Sequence, residues 1–319
     1  MTHEAMRGRV RCSVQCVWSC AVVLMLWTAC SGDDSPAHDN ARTDAAPEQS
    51  DATPASGPTD AGSSSSTGSA TAKCKRDSLQ ATIDQYFKAL AAHEPGMVSM
   101  TASVKYTENG KMVDVGQGIW KTAGELKFKR SVIDTETCNT VTESVLGDDG
   151  TDRVMGLRLR SDAGKISEIE AIIIHPGDYP FGPNPQALID SKSDDWETPL
   201  APDQRASRDD LTLLVDRYFK LFPAGACGFM QGCQRLENGF APPGYDCDDL
   251  LSCDMTKDVN AIDGSMKPRL RVIDVDTSVA VGFAIFAGAY TDFHMFKVRD
   301  GQVVGVHATL AAASGSGWD

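Results

Sequence analysis

The sequence predicts an α+β protein with two tandem domains, each a helical region followed by a curved antiparallel sheet, packed together as a pseudo-dimer. The main reason is a repeat: several short motifs return in the same order about 130 residues later. A period this long indicates duplicated domains and not a solenoid of short units. In each copy a helical pattern precedes a series of strand patterns, which is the order of an α+β domain.

The repeat has four landmarks in each copy. Tyr-Phe-Lys at 86–88 returns at 218–220, Glu-Asn-Gly at 108–110 returns at 237–239, Val-Ile-Asp at 132–134 returns at 272–274, and Gly-Lys-Ile at 164–166 is echoed by Gly-Gln-Val at 301–303. Because the order is kept, we predict one domain over residues 74–175 and a second over residues 207–319. Residues 176–206, which contain several Pro and Gly and no clear periodicity, are predicted to link them.

Residues 1–29 are predicted to be a signal peptide that is removed on export. Arg7, Arg9 and Arg11 precede an apolar stretch at 17–29 that is too short to cross a bilayer comfortably. Cys30 follows Leu-Trp-Thr-Ala, which resembles the lipobox of bacterial lipoproteins and predicts lipidation of Cys30. Cleavage by an ordinary signal peptidase, without lipidation, is the alternative.

Residues 30–73 are predicted to be the lipidated cysteine and a disordered tether. From residue 31 onwards this segment contains no Val, Ile, Leu, Met or aromatic residue, so it cannot bury enough apolar surface to fold. A lipid on Cys30 would anchor the chain to a membrane. We therefore expect an exported protein of the cell envelope, anchored in the outer membrane and facing the periplasm or the exterior. A secreted soluble protein is the alternative.

Each domain is predicted to open with an amphipathic helix. Apolar residues fall at helical spacing at Leu79, Ile83, Tyr86, Phe87 and Leu90, and again at Leu211, Leu214, Val215, Tyr218, Phe219 and Phe222. Asp77 and Ser78 are predicted to cap the first helix. Ser207, with Asp210 three residues later, forms a capping-box pattern at the second.

Strand patterns follow the first helix. Residues 103–108 and 111–115 flank Asn109-Gly110, the dipeptide that best fits a two-residue hairpin because both positions favour positive φ. Runs at 126–133, 141–146, 153–160 and 166–175 are rich in β-branched residues and are separated by Gly and Asp turns. These runs predict the remainder of a bent sheet.

Six cysteines remain after the leader and Cys30 are set aside. They are Cys74, Cys138, Cys227, Cys233, Cys247 and Cys253. In an oxidising compartment six cysteines indicate up to three disulfides. The repeat boundaries favour Cys74 with Cys138, and we prefer Cys233 with Cys247 and Cys227 with Cys253. A zinc site is the alternative, but the spacing contains no CxxC pair.

The charge balance excludes one class of partner. The chain has 30 Lys and Arg against 44 Asp and Glu, a formal net charge of -14. Binding to nucleic acid requires a basic face that exchanges for counterions, and none is visible. Neither the histidines nor the cysteines form a short ligand motif, so no metal and no cofactor is predicted. The expected partners are a membrane, through the lipid anchor, and a small apolar ligand.

Several motifs resemble a known family. Lys-Tyr-Thr-Glu-Asn-Gly at 105–110, Gly-Gln-Gly-Ile-Trp-Lys at 116–121 and Ser-Gly-Trp at 316–318 are similar to domain-of-unknown-function family 8021, uncharacterised exported proteins of fungi and bacteria. Each half also resembles the NTF2-like or SnoaL-like cone, shared with ketosteroid isomerases, scytalone dehydratases and polyketide cyclases. The resemblance implies a cone-shaped fold and does not settle a function.

The resemblance to ketosteroid isomerases nominates catalytic residues. There a carboxylate after the first strand shuttles a proton and a tyrosine donates to the developing enolate; Glu108 and Tyr86 lie at corresponding places, and His175 is a third candidate. The alternative for Glu108 is the tip of a hairpin, where it would pair with Lys111 and face water. The alternative for Tyr86 is a core tyrosine.

Further residues are candidates for ligand binding. They are Tyr106, Trp120, Tyr218, Glu237 and His294. Trp120 and Tyr218 have the alternative of being core residues. Glu170 and His307 lie at equivalent points of the last strand and alternate with its apolar residues, which predicts contacts between the two domains.

Three functions remain open from the sequence. The first is binding of a small apolar molecule in the hollow of a cone. The second is an isomerase, dehydratase or cyclase that uses a tyrosine with a carboxylate or histidine and no cofactor. The third is a structural envelope module with filled cones. We expect the first domain to hold any ligand and the second to support it.

Overall fold

The computed structural model describes residues 74–178, 182–193, 195–221, 229–241, 268–286, 288–313 and 315–318. The predicted signal peptide, Cys30 and the tether therefore lie outside the described residues, as do Cys227, Cys247 and Cys253. Among the described residues, no helix is both long and apolar enough to cross a membrane. Residues from 74 onwards belong to one compact unit.

The first half is one helix followed by six strands. The elements are α1 (Arg76–Ala91), β1 (Met100–Glu108), β2 (Lys111–Met112), β3 (Ala123–Asp134), β4 (Asn139–Asp148), β5 (Thr151–Asp162) and β6 (Lys165–Ile173), with short 3-10 helices at Pro95–Met97 and Gly118–Lys121. All the strand runs expected between 103 and 175 are present. The buried face of α1 consists of the apolar residues that predicted it.

The second half repeats this plan. After the linker helix α2 (Pro185–Asp190) come α3 (Arg208–Leu221), β7 (Phe229–Glu237), β8 (Leu270–Asp274), β9 (Val279–Phe286), β10 (Tyr290–Arg299) and β11 (Gln302–Ala312). Its sheet has the order β7-β11-β10-β9-β8, and the first has the order β2-β1-β6-β5-β4-β3. The protein is therefore an α+β protein with two sheets, each facing its own helix.

The expectation of purely antiparallel sheets is wrong. β1 pairs with β6 in parallel, and β7 pairs with β11 in parallel. In the first half the chain leaves the short β1–β2 hairpin, crosses to the opposite edge and returns through three antiparallel steps. The last strand then runs in the same direction as the first, so both sheets are mixed.

The capping predictions have opposite outcomes. Ser207 caps α3 as predicted: its Oγ accepts the backbone N–H of Asp210 at 3.1 Å and donates to the Asp210 carboxylate at 2.7 Å. The cap proposed at Asp77 and Ser78 is wrong, because α1 already begins at Arg76 after Lys75. The backbone N–H of Cys74 donates to Thr135 O at 2.8 Å, which fixes the chain just before that start.

The repeated Asn-Gly dipeptides extend the parallel ladders. The side chain of Asn109 donates to Ile173 O at 2.8 Å and accepts from Ile173 N at 2.7 Å. Asn238 makes the same pair of hydrogen bonds with Leu310, at 3.0 and 2.9 Å. Each amide thus replaces a peptide group beyond the end of the first strand of its half. This role is independent of the hairpin, which in the described part of the second half has one bridge, between Glu237 and Phe240.

The two halves meet through reciprocal contacts. Asp134, at the end of β3, accepts from Arg208 at 2.8 Å and from the backbone N–H of Ile273 at 3.2 Å. Asp274, at the equivalent point of β8, accepts from Arg76 and from the backbone N–H of Ile133 at 3.1 Å. The Val-Ile-Asp repeat therefore supplies the same contact twice, in opposite directions.

The predicted disulfide of the first half is confirmed. Cys74 and Cys138 are joined, with their Cα atoms 5.5 Å apart, which ties the start of α1 to the turn between β3 and β4. Cys233 is also disulfide-bonded. The pairing proposed for the second half stays a prediction, since its other three cysteines lie outside the described residues. Within the described chain, no three His, Cys, Asp or Glu are grouped so that they could hold a metal ion.

Candidate functional site

The first half brings four of the nominated residues together between α1 and the sheet. Tyr86 comes from α1, Tyr106 and Glu108 from β1, and Trp120 from the 3-10 helix that precedes β3. The two tyrosines and the tryptophan are buried. The rings of Tyr86 and Trp120 meet edge to face, with their centroids 5.2 Å apart. The sequence named all four, but not their contact.

Glu108 has two hydrogen-bond donors. Its Oε1 accepts the hydroxyl of Tyr106 and the backbone N–H of Ile119, the latter at 2.7 Å. Lys111 is its backbone partner in the hairpin, as predicted. A Cβ atom at Gly118, where φ is +60°, would lie 2.1 Å from Glu108 Oε2, so only glycine allows the carboxylate to approach this turn. Glu108 thus closes the turn that carries Trp120.

Two buried polar atoms in this cluster, the hydroxyl of Tyr86 and Nε1 of Trp120, have no hydrogen-bond partner within 3.5 Å among the described residues. Burial, and after it the charge of Glu108, raises the pKa of Tyr86 well above its usual value, and the interaction of the Tyr86 hydroxyl with the Trp120 side chain lowers it. Tyr86 is therefore a neutral hydroxyl.

His175 lies apart from this cluster. It is exposed after the end of β6, and its backbone N–H donates to the Asp178 carboxylate at 2.8 Å. The structure gives it no contact with Tyr86 or Glu108.

The second half places charged groups at the corresponding positions. Tyr218 occupies the position of Tyr86, Arg235 that of Tyr106, and Glu237 that of Glu108. Arg235 donates through Nη1 to the Tyr218 hydroxyl at 3.1 Å and through Nη2 to Glu237 Oε1 at 2.6 Å. All three side chains are buried.

A buried carboxylate and histidine lie beside this chain of hydrogen bonds. Asp292 and His294 are two residues apart in β10 and so share one face of the strand. Nδ1 of His294 lies 2.9 Å from Asp292 Oδ2, and the two residues are 1% and 0% exposed. Within the described chain, the other carboxylate oxygen, Oδ1, has no hydrogen-bond partner.

Aromatic rings hold His294 in place. Its ring centroid lies 5.0 Å from Tyr218, 5.5 Å from Phe219 and 6.1 Å from Phe296. Gly282 is opposite His294 in β9, where a Cβ atom would lie 2.6 Å from the Phe219 ring. The glycine therefore makes room for one wall of this cage.

The surroundings shift the protonation of two of these groups. Burial raises the pKa of Asp292 above its usual range, while His294 opposes the rise. Burial raises the pKa of Tyr218 to about 12, and the neighbouring Arg235 limits that increase. The site thus combines a carboxyl group of increased proton affinity with a tyrosine polarised by a guanidinium group.

Sequence reasoning named Tyr218, Glu237 and His294 but missed Arg235 and Asp292. Signals for both were present. Arg235 lies two residues before the Glu-Asn-Gly motif of the second half, as Tyr106 does in the first half. Asp292 lies on the same strand face as His294. In the first half the corresponding positions of β5 are Met155 and Leu157, which pair with Ile173 and Ala171 as Asp292 and His294 pair with Leu310 and Ala308.

A cavity of about 680 Å³ lies elsewhere in the second half, between α3 and the β10–β11 turn. Its lining includes Leu211, Leu214, Arg217 and Val303. At the equivalent places of the first half, Gln85 donates to Met97 O at 3.1 Å and Ile166 N donates to Ser99 O at 2.9 Å. The cavity is separate from the cluster around His294.

Comparison with known proteins supports the family resemblance for the second half. Residues 204–310 match the model of a family described as Domain of unknown function (DUF8021). No curated protein sequence matches the chain.

Solved structures match parts of the chain. A de novo designed protein with a curved β-sheet shows 13% identity over 31% of this chain and 87% of its own, with a TM-score of 0.27. An NTF2-like protein of unknown function from Cytophaga hutchinsonii shows 7% identity over 30% and 88%, with a TM-score of 0.23. An LEH-like epoxide hydrolase from M. tuberculosis shows 15% identity over 30% and 83%, with a TM-score of 0.26.

Proposed function

We propose that the second half binds a small, largely apolar molecule and that Asp292 and His294 transfer protons on it. The observation that carries this proposal is the carboxylate of Asp292: one oxygen is engaged by His294 at 2.9 Å, and the other is buried with no partner among the described residues. A buried acceptor without a donor costs folding free energy. A ligand that offers a proton there would relieve that cost.

A purely structural role for this cluster would cost folding free energy. Asp292, His294, Arg235 and Glu237 are all buried among aromatic and aliphatic side chains, and buried ionised groups often stabilise a fold less than apolar residues of the same size. In the first half the equivalent positions are apolar, since Met155 and Leu157 stand at the positions of Asp292 and His294. Clusters of ionisable groups with perturbed pKa values are typical of functional sites.

The geometry assigns a role to each group. Oδ1 of Asp292 accepts a proton from a carbon next to a carbonyl group, and the electron pair of that C–H bond forms the C=C bond of an enolate. Tyr218, polarised by Arg235, stabilises the negative oxygen. Glu237 positions Arg235, and His294 shares its proton with Asp292. When the substrate is a β,γ-unsaturated ketone, the enolate is conjugated, and return of the proton to the γ-carbon moves the C=C bond next to the carbonyl group without net oxidation or reduction.

The test is proton exchange on simple enolisable ketones. The Cys30→Ser full chain, which cannot carry an acyl chain at that position, is incubated in D₂O with cyclic and fused-ring ketones, and deuterium uptake at the α-carbon is followed by mass spectrometry. We expect Asp292→Asn to lower the exchange rate at least about 100-fold. Glu108→Gln, the carboxylate of the other half, is the matched control and should retain the rate. Exchange no faster than in buffer, or equal in Asp292→Asn, would refute the proposal.

We also propose that the two halves form a pseudo-dimer within one chain. The contacts of Asp134 with Arg208 and of Asp274 with Arg76 support this, because each half offers the same residue to the other. Such reciprocity is typical of a two-fold interface.

Export and lipidation remain proposals that rest on residues 1–73. We propose a cell-envelope protein held to a membrane through Cys30. Cys30→Ser should move the protein from the membrane fraction to the soluble fraction. Retention of that variant on membranes would exclude lipidation at Cys30.

A further inference from the structure

We infer that Asn109 is a site of irreversible chemical modification, deamidation through a cyclic imide with Gly110, and that the C-terminal tail prevents this reaction while it is docked. The tail is the segment after β11 that the structure describes at residues 315–318. The inference rests on the contacts of the Asn109-Gly110 turn and is independent of the proton-transfer site of the second half.

The Asn-Gly dipeptide supplies both reacting groups. The backbone nitrogen of Gly110 loses its proton and bonds to Cγ of Asn109, the Cγ–Nδ2 bond breaks, and ammonia leaves. Water then opens the imide ring at either carbonyl carbon and gives aspartate or isoaspartate, without oxidation or reduction. Glycine favours this reaction because it has no Cβ atom to hinder the approach of its nitrogen.

The first restraint on the reaction is the pair of hydrogen bonds between the Asn109 side chain and Ile173. Nδ2 donates to Ile173 O at 2.8 Å, and Oδ1 accepts from Ile173 N at 2.7 Å, so the amide group is fixed against β6. Ring closure requires the side chain to turn towards the Gly110 nitrogen, and both hydrogen bonds must then break. Each of them should slow the reaction by up to about tenfold.

The second restraint is the tail. A Cβ atom at Gly110 would lie 1.9 Å from Gly315 O, and one at Gly317 would lie 2.6 Å from Gly110 O. The turn therefore packs closely against the tail at two points. Ring closure rotates the backbone of Asn109 and moves Gly110, so the tail must leave the turn before the imide can form.

Trp318 holds the tail in place. Its Nε1 donates to Thr107 Oγ1 at 3.0 Å. The centre of its ring lies 4.1 Å from Nζ of Lys105 and 4.6 Å from the guanidinium carbon of Arg158, and cations at this distance are attracted to an indole ring. Ser316 is fully buried beneath the tail. Because these contacts lie beyond the last strand, the tail can be released without breaking a sheet.

The second half contains a matched Asn-Gly turn with a different cover. Asn238 makes the same two hydrogen bonds, with Leu310, and is fully buried, whereas Asn109 is half-buried. A Cβ atom at Gly239 would lie 2.2 Å from Asn184 O, and Asn184 N donates to Asn238 O at 2.9 Å. This turn is thus covered by the start of α2. Release of the C-terminal tail should expose Asn109 and leave Asn238 protected.

The modification would reinforce itself. An aspartate at position 109 accepts hydrogen bonds but cannot donate one, so Ile173 O loses its partner and faces a negatively charged oxygen. The end of the β1–β6 pairing then loosens, and with it the turn against which the tail packs. Because tail docking protects the amide and the amide supports tail docking, the two are coupled.

The test follows deamidation by mass spectrometry. The Cys30→Ser full chain is incubated in mildly alkaline buffer, and the peptides that contain Asn109 and Asn238 are examined for conversion of the amide to an acid. Trp318→Ala should accelerate the reaction at Asn109 at least about tenfold and leave Asn238 unchanged. Thr107→Val, which has a similar shape but cannot accept from Trp318, should act in the same direction with a smaller factor.

Three controls locate the effect. Met112→Ala alters a side chain of the same hairpin that is 62% exposed, and it should leave the rate at Asn109 unchanged. The chain unfolded in urea gives the unrestrained rate, at which Asn109 and Asn238 should react alike. Asn109→Asp should lose its tail to carboxypeptidase faster than the native chain, which tests the coupling from the other side.

The inference would be overturned by any of three results. The first is a rate at Asn109 in the folded native chain that equals the rate in urea. The second is a rate at Asn109 that is the same in the native chain, Trp318→Ala and Thr107→Val. The third is equal acceleration at Asn109 and Asn238 in Trp318→Ala, since this would indicate general unfolding. A tail that is equally resistant in Asn109→Asp and the native chain would refute the coupling. None of these results depends on ketone exchange in the second half.

Discussion

His307 and Glu143 come from different halves of the chain, and Nδ1 of His307 lies 2.8 Å from Oε2 of Glu143 with both side chains fully buried. Arg130 lies 3.3 Å from the same carboxylate oxygen. Although burial alone would raise the pKa of Glu143, His307 and Arg130 hold it below its usual range. The carboxylate is therefore ionised, and both Nδ1 of His307 and Nη1 of Arg130 lie within hydrogen-bond distance of its Oε2. The contact between the two halves that was predicted for His307 is thus confirmed. The contact predicted for Glu170 is confirmed as well, since Glu170 accepts from Arg269 at 2.6 Å.

Glu143→Gln should destabilise the protein by about 3–5 kcal/mol at neutral pH, because it removes the buried negative charge that Arg130 contacts. Urea unfolding measures the loss. Glu168→Gln is the matched control: Glu168 pairs with Arg158 and Arg160 but is 23% exposed, and should cost no more than about 1 kcal/mol. Equal costs for the two variants would contradict the buried charge network.

Asn109→Gly should cost about 1–3 kcal/mol, because the N–H and C=O of Ile173 lose their partners in the parallel ladder. Glycine keeps the positive φ of 47° without strain, so the loss reports the amide alone. Asp149→Gly is the control, since Asp149 has a similar φ of 49° and is exposed in a turn. Comparable unfolding midpoints for these two variants would show that the side-chain bridge contributes nothing.

Gly110→Ala should displace the C-terminal tail. A Cβ atom there would lie 1.9 Å from the carbonyl oxygen of Gly315, just before Trp318, whose Nε1 donates to Thr107 Oγ1 at 3.0 Å. The tail should become susceptible to carboxypeptidase and the melting temperature should fall.

Gly150→Ala separates this clash from backbone strain. Gly150 has a φ of +82°, close to the +76° of Gly110, but no atom lies within 4 Å of a Cβ built on it. Its substitution should cost only the roughly 1–2 kcal/mol of a left-handed alanine and leave the tail protected. If both variants expose the tail equally, close packing is not the reason for Gly110.

The helices and strands could be predicted because the spacing of their apolar residues matches the faces that the fold buries. The parallel pairing of β1 with β6 could not be predicted, because side chains alternate in the same way in parallel and antiparallel strands. The direction of pairing depends on the path of the chain between the strands. The first-half cluster was within reach of the sequence, since Glu108, Tyr86, Tyr106 and Trp120 were named singly. Asp292 was missed because one acidic residue in a strand carries no motif, and its meaning depends on His294 beside it.

The reciprocal aspartates should respond to pH in opposite senses. Although burial opposes it, hydrogen bonds from Arg208, Thr137 and Ile273 lower the pKa of Asp134. A lowered pKa contributes stability that is present above the unfolded value of about 3.9 and is lost as the pH falls through the folded value. Asp134→Asn should therefore be most costly at neutral pH and less so in acid.

Asp274 is the matched partner. Burial raises its pKa in spite of Arg76, so the folded state binds the extra proton and stability falls as the pH rises through this window. The cost of Asp274→Asn should shrink as the pH rises from about 4. Urea unfolding of both variants across pH measures the two slopes, and slopes of the same sign would contradict the assignment.

Asp292→Asn should make the protein more stable at neutral pH while it abolishes ketone exchange. Burial raises the pKa of Asp292, so between the unfolded value of about 3.9 and the higher folded value the folded state holds more protons than the unfolded state. The native chain therefore loses stability as the pH rises through that window, and the asparagine variant does not.

From about pH 4 upward, the free energy of unfolding of Asp292→Asn should therefore exceed that of the native chain by a growing amount. Asp149→Asn, at an exposed turn position, should give a difference that is flat across the same range. If Asp292→Asn is more stable than the native chain but loses ketone proton exchange, the Asp292 carboxylate serves the reaction and does not stabilise the fold. If Asp292→Asn is instead less stable than the native chain at every pH, the carboxylate belongs to the folding core and the proton-transfer proposal loses its physical basis.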